Sequence, residues 1–440
     1  MQNLKSFPLA LICFLALAHD LTPAHAQPVS VAVGEAKVKK SVIALTDPAS
    51  ANDNAKSRAA QIEKVIESDL NFTDQFTLLP KGGFAQSKVG SLGDVKFAEW
   101  AKTGTDYLSF SNVKLEGKKI VYEFHLINVG SNQEALAKRY TSDTDDTKIL
   151  AHSVANDIVK AITGKKGIFL TKIAFACDKT GKKEIYTMNF DGSDVRQITR
   201  LHSITMGVAW NPNGTELAFS VYNKHRHNIK NLDLFEYSFK SGKLRLISNR
   251  KGINSGAAYS PDGKKLAATL SVSGNPEINV IDIHSKKATQ LTHSVGFDVD
   301  PAFSPDGDKI AFVSSRAGKP MVYVMNANGS SPKRLTFAGR YNATPNWSPD
   351  GKKLVFAGWL DGHFDLFTIT ADGAKIERLT KNEGNNEDPF YSPDGNLIVF
   401  SSNRSGGKNV FMMNADGGNV KRLTFGMGRC VAPKWSPYLE

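Results

Sequence analysis

Cysteine is nearly absent from this 440-residue chain: three residues, one of which, Cys13, lies in the apolar opening stretch. That rules out a disulfide-dense scaffold and leaves at most one intrachain bridge among the remaining pair, Cys177 and Cys430. Long apolar runs are also missing. The stretch from Phe7 to Ala18 is broken by His19 and Asp20, short of the roughly 20 residues a spanning helix needs, and nothing later is apolar for longer. No Gly-x-Ser-x-Gly pentapeptide occurs, which removes the nucleophile elbow of a serine hydrolase. Histidines are few and scattered. His225 and His227 flank Arg226 with no third ligand near them, so a solvated loop is expected there rather than a metal site, and His152 has no nucleophile or carboxylate at a telling spacing. Neither catalytic residues, nor a metal, nor a cofactor are expected.

What the opening residues do provide is the pattern of a secretory leader: Lys5, the apolar run, then Ala24-His25-Ala26 as a small-x-small cleavage site. The mature protein would begin at Gln27, with no lipid attached at Cys13, because small residues do not precede it. Export places Cys177 and Cys430 in an oxidising compartment, the periplasm. The net charge of +12 could attract anionic partners, but the lysines come in pairs at turns (Lys182-Lys183, Lys264-Lys265, Lys286-Lys287, Lys352-Lys353). Solubilising turn charge is the reading adopted, and no nucleic acid is expected.

The strongest signal is a repeat. Tyr259-Ser260-Pro261-Asp262-Gly263 recurs as Phe303 to Gly307, Trp347 to Gly351 and Tyr391 to Gly395, with Trp210-Asn211-Pro212-Asn213-Gly214 as a variant and Trp435-Ser436-Pro437 at the end. The prolines stand at 212, 261, 305, 349, 393 and 437, one step of 49 and four of 44. Proline presets φ at the second turn position and glycine accepts the left-handed conformation that ends a tight hairpin. A single Asp per turn is too few carboxylates for a calcium loop. Each turn leads into a strand apolar on both faces, such as Ile310 to Val313 or Leu354 to Ala357, which must be covered on both sides. A third strand follows, then a second turn such as Ala371-Asp372-Gly373, and a fourth strand ending in Arg-Leu-Thr at 334, 378 and 422. Four strands per 44 residues make one propeller blade.

Second strands beginning near Ile173, Leu217, Leu266, Ile310, Leu354 and Ile398 give six blades. The first has no aromatic-Ser-Pro piece before it and the last such piece has no strand after it, so the C-terminal strand is predicted to complete the first blade and remove the open edges. In this register Cys430 falls level with Asn342 and Cys177 level with Gly358, positions opposite each other across one hairpin. A Cys177 to Cys430 disulfide clasping the ring is therefore predicted.

Residues 27 to 165 lack the repeat and read as a small α/β domain. A strand at Ser41 to Leu45 precedes a helix carrying Ile62, Val65, Ile66 and Leu70, a hairpin turns at Glu116-Gly117, and a second helix runs from Lys148 to Ile162 with Gly164 as its C-cap. The expected organisation is thus a leader (1–26), an α/β domain (27–165) and a mainly β, six-bladed propeller (166–440).

The joint Ile162-Thr163-Gly164-Lys165-Lys166-Gly167-Ile168-Phe169-Leu170-Thr171-Lys172-Ile173-Ala174-Phe175 and the ending Trp435-Ser436-Pro437-Tyr438-Leu439 resemble the TolB family, soluble propeller proteins of the periplasmic Tol-Pal system, with Lys172 in place of the usual arginine. The resemblance implies a non-enzymatic scaffold, peripheral to membranes, that binds a Pal-like lipoprotein through the propeller and a TolA-like protein through the N-terminal segment, here Gln27 to Lys40, and maintains the outer membrane during division. Loops joining a fourth strand to the next first strand, and a second to a third, lie on one face of a propeller. The partner-binding candidates on them are Asp298, Asp300, Arg340, Asn342, Asn386, Glu387 and Asp388, with Arg316, His363, Asn403 and Arg404 on the companion loops. Two other readings stand beside this one: a propeller that binds peptidoglycan or other glycan fragments, and a remnant of a peptidase-type propeller.

Overall fold

The computed structural model describes residues 40–50, 52–143, 146–224 and 230–439. The expected leader, the segment 27–39 and the His225 and His227 pair lie outside the described residues. The N-terminal region is a mixed sheet in which β1 (Ser41–Leu45) pairs in parallel with β3 (Phe76–Leu78) and β4 (Tyr107–Glu116), while β5 (Lys119–Asn128) and β6 (Gln133–Asp143) continue it antiparallel; the two-residue β2 (Ala49–Ser50) also pairs with β4. Helix α1 (Asp53–Phe72) starts where the Asn52 side chain accepts the Ala55 amide at 2.9 Å. The short α2 (Phe97–Lys102) brings Trp100 to the other sheet face, against Ala44, Leu108 and Phe110. Helix α3 (Thr147–Thr163) ends on Gly164 at φ 73°, the left-handed cap expected from the sequence. Ile62, Ile66 and Leu70 of α1 pack with Val154 and Ile158 of α3 over the sheet.

His152 is buried where α3 meets the propeller. Its Nδ1 lies 2.7 Å from the Asp69 carboxylate, and its ring meets Phe190 edge-on at 5.9 Å. The apolar core is continuous from α1 and α3 through Ile168 and Phe169 to Ile173, Phe175 and Trp435. Gly167 makes this passage feasible, because a Cβ there would lie 2.7 Å from the Asn156 backbone.

Six four-stranded antiparallel sheets follow, five of them running in chain order. In the sixth, Cys430–Trp435 pairs with Lys172–Cys177, so the end of the chain supplies the innermost strand of the first blade. Cys430 and Cys177 are direct partners in this ladder, as Asn342 and Gly358 are in theirs, and they form a disulfide across 253 residues of sequence. Ring closure and its clasp both follow the predicted register.

The repeated residues earn their recurrence through hydrogen bonds. Ser260, Ser304, Ser348 and Ser392 each donate Oγ to the turn Asp two residues on and accept a backbone amide five residues on at 2.9–3.0 Å. The Ser260 and Ser304 hydroxyls, with backbone amides, hold Asp262 and Asp306 below the ordinary carboxylate range. In five blades the Thr of Arg-Leu-Thr or its variant accepts the amide fourteen residues earlier at 2.9–3.0 Å, tying the fourth strand's end to the third strand's start. Each of these buried hydroxyls satisfies one backbone amide that the ladder itself does not pair.

Candidate functional site

Each innermost strand contains one extra residue. The ladder register shifts between Val299 and Ala302, Ala343 and Asn346, Glu387 and Phe390, and Val431 and Lys434, with matching shifts in the other two blades. The bulged positions Gly207, Gly256, Asp300, Thr344, Asp388 and Ala432 all have positive φ, between 49° and 66°. Left-handed backbone is unfavourable for a β-branched threonine and tolerable for aspartate, so the surrounding ring imposes it.

This bulge corrects the placement of several candidates. Asp298, Asn342 and Asn386 are not loop residues: they open the innermost strands and are buried. Asp300, Glu387 and Asp388 also lie within those strands. The extra residue breaks the alternation of side chains, so a period-two reading starts the strand too late.

Most of these side chains have structural partners. Asp298 Oδ2 accepts Arg316 Nη2 at 2.8 Å, and the guanidinium lies 5.4 Å and 5.2 Å from the Phe312 and Tyr323 ring centres. Two blades on, Asn386 Oδ1 accepts Arg404 Nη2 at 2.8 Å, with Phe400 and Phe411 each 5.3 Å from that guanidinium. The disulfide sits at the strand-start position of these two clamps. Asn342 donates to Thr336 Oγ1 at 2.9 Å, Asn403 Oδ1 accepts the Asn385 amide at 2.7 Å, and His363 Nε2 lies 3.0 Å from buried Asp365. Glu387 pairs with Lys408. Arg340 alone among the candidates is fully on the surface, in the loop before Asn342.

The axis of the ring holds a different cluster. Asp300, Asp388 and Lys434 line a cavity of about 480 Å³ that is walled by Trp210, Trp347 and Trp435 and reaches the turn prolines Pro261, Pro305 and Pro349. Asp388 accepts Ser401 Oγ at 3.0 Å and the Ala432 amide at 3.2 Å. Burial, and then the Asp388 charge, push the Asp300 carboxyl up to about 6. Burial pushes the Lys434 ammonium down against the opposing pull of Asp388 and Asp300, and its Nζ lies 4.8 Å above the Phe390 ring. Lys434 was not among the sequence candidates. Its signal is periodic: the same place in the other blades holds Ala209, Ala258, Ala302, Asn346 or Phe390. Among the described residues, no group of three or more His, Cys, Asp or Glu is arranged to hold a metal ion, and no helix is long and apolar enough to cross a membrane.

The TolB beta propeller domain family matches residues 159–358 and 341–439, and the TolB amino-terminal domain family matches residues 29–135. The Tol-Pal system protein TolB of Geobacter metallireducens is 39% identical over 164 residues, which is 37% of this chain and 38% of that one. That of Geobacter sulfurreducens is 36% identical over 207 residues, 46% and 47% of the two chains, and a TolB homolog of Chlorobaculum tepidum is 34% identical over 229 residues, 51% and 52%. The matched segments thus span about half or less of these relatives' length. The crystal structure of TolB from Acinetobacter baumannii has a TM-score of 0.79, covering 91% of this chain and 98% of that chain at 24% identity, a likeness of fold.

Proposed function

The chain belongs to the TolB family, and from that premise we propose that it is a non-enzymatic periplasmic scaffold of a Tol-Pal system, exported by a cleaved leader. In this reading the propeller binds a Pal-like lipoprotein, and the segment from Gln27 to Lys40 binds a TolA-like protein. Together they hold the outer membrane to the wall as it constricts in division. The observation that carries the proposal is that both TolB domain families match this one chain in order, the amino-terminal one at 29–135 and the propeller one from 159 to 439.

The loops around Arg340 and its equivalents suit a protein partner, because a rigid ring presents polar and apolar groups at fixed spacing. The buried clamps at Asp298 and Arg316, and at Asn386 and Arg404, hold that ring and shape the loops from behind.

The test is capture of cross-linked envelope proteins by the mature chain, beside a variant lacking Gln27 to Lys40. The expected result is a peptidoglycan-associated lipoprotein on both and a TolA-like protein on the intact chain only. Retention of wall glycan without either protein would replace this reading with the glycan-binding one.

A further inference from the structure

The innermost strands leave the axial channel lopsided. Of the six bulged positions that line its cavity, three neighbouring blades supply Asp300, Thr344 and Asp388, and the other three supply Gly207, Gly256 and Ala432. The backbone does not demand glycine at this position, because Asp300, Thr344, Asp388 and Ala432 adopt the same positive φ with side chains. One layer nearer the turn face, where the innermost strands run out into the Ser-Pro-Asp-Gly turns, the division recurs: Ala209, Ala258 and Ala302 stand against Asn346, Phe390 and Lys434. Small residues thus open a hollow on one side of the axis, and polar side chains face it from the other.

The polar side is short of donors. The Asp300 amide donates to Thr269 Oγ1 at 3.3 Å, but the Asp300 carboxylate accepts no hydrogen bond among the described residues, and Thr344 Oγ1 is buried without a partner. Lys434 is the cation lining the cavity, shared between the Asp300 and Asp388 carboxylates, which leaves an excess of one negative charge when both are ionised. The walls above them are apolar. The indole N–H groups of Trp210, Trp347 and Trp435 are engaged within the ring, by the Lys434 and Ala302 carbonyls and Thr171 Oγ1, so these side chains offer the channel carbon surface. A cavity of about 480 Å³ with apolar walls and a few convergent polar groups has the usual form of a small-molecule site. A recessed carboxylate without donors, among aromatic walls, favours a ligand that brings positive charge and N–H groups together. A neutral alcohol leaves that charge unbalanced, and an anion is repelled by both carboxylates. Two carboxylates shared with a lysine are a poor donor set for a metal ion.

We propose that the channel is a binding site for a small organic ammonium, a primary amine on an apolar body. The ligand enters from the turn face past Pro261, Pro305 and Pro349, donates to Asp300 and Thr344, and lays its carbon skeleton against Trp210 and Trp347 in the hollow left by the glycines and alanines. The site opens at the turn end of the channel, away from the blade-to-blade loops, and stands whichever proteins the chain binds.

The experiment is isothermal titration calorimetry of the mature chain at about pH 7.5, where Asp300 is ionised. The probes are phenethylamine and hexylamine, compared with phenethyl alcohol, hydrocinnamate and calcium chloride. The proteins are the wild type, Asp300→Asn, Ala258→Leu, which fills the hollow, and Asp308→Asn, which removes an exposed turn-face carboxylate outside the cavity. The expected result is saturable binding of an amine by the wild type, weaker by about tenfold or more for the alcohol and the carboxylate. Asp300→Asn and Ala258→Leu should each weaken the amine about tenfold or more, and Asp308→Asn should change it within about twofold. Asp300→Asn is isosteric and removes a recessed charge, so it reports on the site even where Ala258→Leu disturbs the fold. Absence of saturable binding of either amine by the wild type overturns the proposal, and so does equal affinity for amine and alcohol. Amine affinity unchanged in Asp300→Asn overturns it in favour of a site elsewhere on the molecule. Calcium that displaces the amine at equal concentration overturns it in favour of a metal ion.

Discussion

Replacing Cys177 and Cys430 together by alanine removes the covalent link that closes the ring. The bond joins residues 253 apart, and chain-entropy reasoning for a loop of that size gives about 5 kcal/mol of stabilisation, an upper bound because unfolded chains retain some compactness. The native ring does not depend on the bond alone. Cys430–Trp435 stays paired with Lys172–Cys177, and Trp435 Nε1 still donates to Thr171 Oγ1 at 2.7 Å. The double variant should therefore fold, with an unchanged circular dichroism spectrum, but unfold at lower urea, and the wild type should fall to the same midpoint when a reductant is present throughout. Two reactive thiols titrated in the native wild type, or coincident urea curves for wild type and variant without reductant, would refute the reasoning.

Arg316→Ala leaves Asp298 as a buried, uncompensated carboxylate and should cost about 3–5 kcal/mol in urea unfolding, whereas the double change Arg316→Met/Asp298→Leu should cost much less. The pH dependence of Asp300 has a definite sign. An aspartate in an unfolded chain titrates near 4 and this one near 6, so the native state binds its proton more tightly. That contribution to stability is complete below about pH 4 and is lost as pH rises through about 6, at most about 3 kcal/mol before the water of the channel is counted. Asp300→Asn should flatten the stability profile between pH 4 and 7 and raise stability at pH 7.5; an unchanged slope would show that Asp300 is not the titrating group.

Much of the fold is legible because propeller blades are local. A period of 44 residues places four of the turns at Ser-Pro-Asp-Gly, and closing the ring requires only that an unpartnered first blade meet an unpartnered last strand. The cysteine pairing follows from the same period, since it repeats the Asn342 and Gly358 pairing in a register already known. The candidate site was less legible. Asp298 and Arg316 stand 18 residues apart and read as two polar loop residues, because the bulge at Asp300 conceals that the first strand has begun. Phe337 and Phe425 follow the Leu-Thr pair of the fourth strand just as an apolar strand residue would, and only the folded loop shows them facing solvent. His152 could be read as a core residue, but its partner Asp69 lies 83 residues away on another helix.

The most direct test of the account is site-specific photo-crosslinking in growing cells. The photoreactive residue is placed at Phe337, Arg340 or Phe425 on the loop face, or at Lys264 or Lys352 on the turn face. The account predicts adducts with a peptidoglycan-associated lipoprotein from the first three positions and none from the other two. Adducts to that lipoprotein from the turn face alone would contradict it.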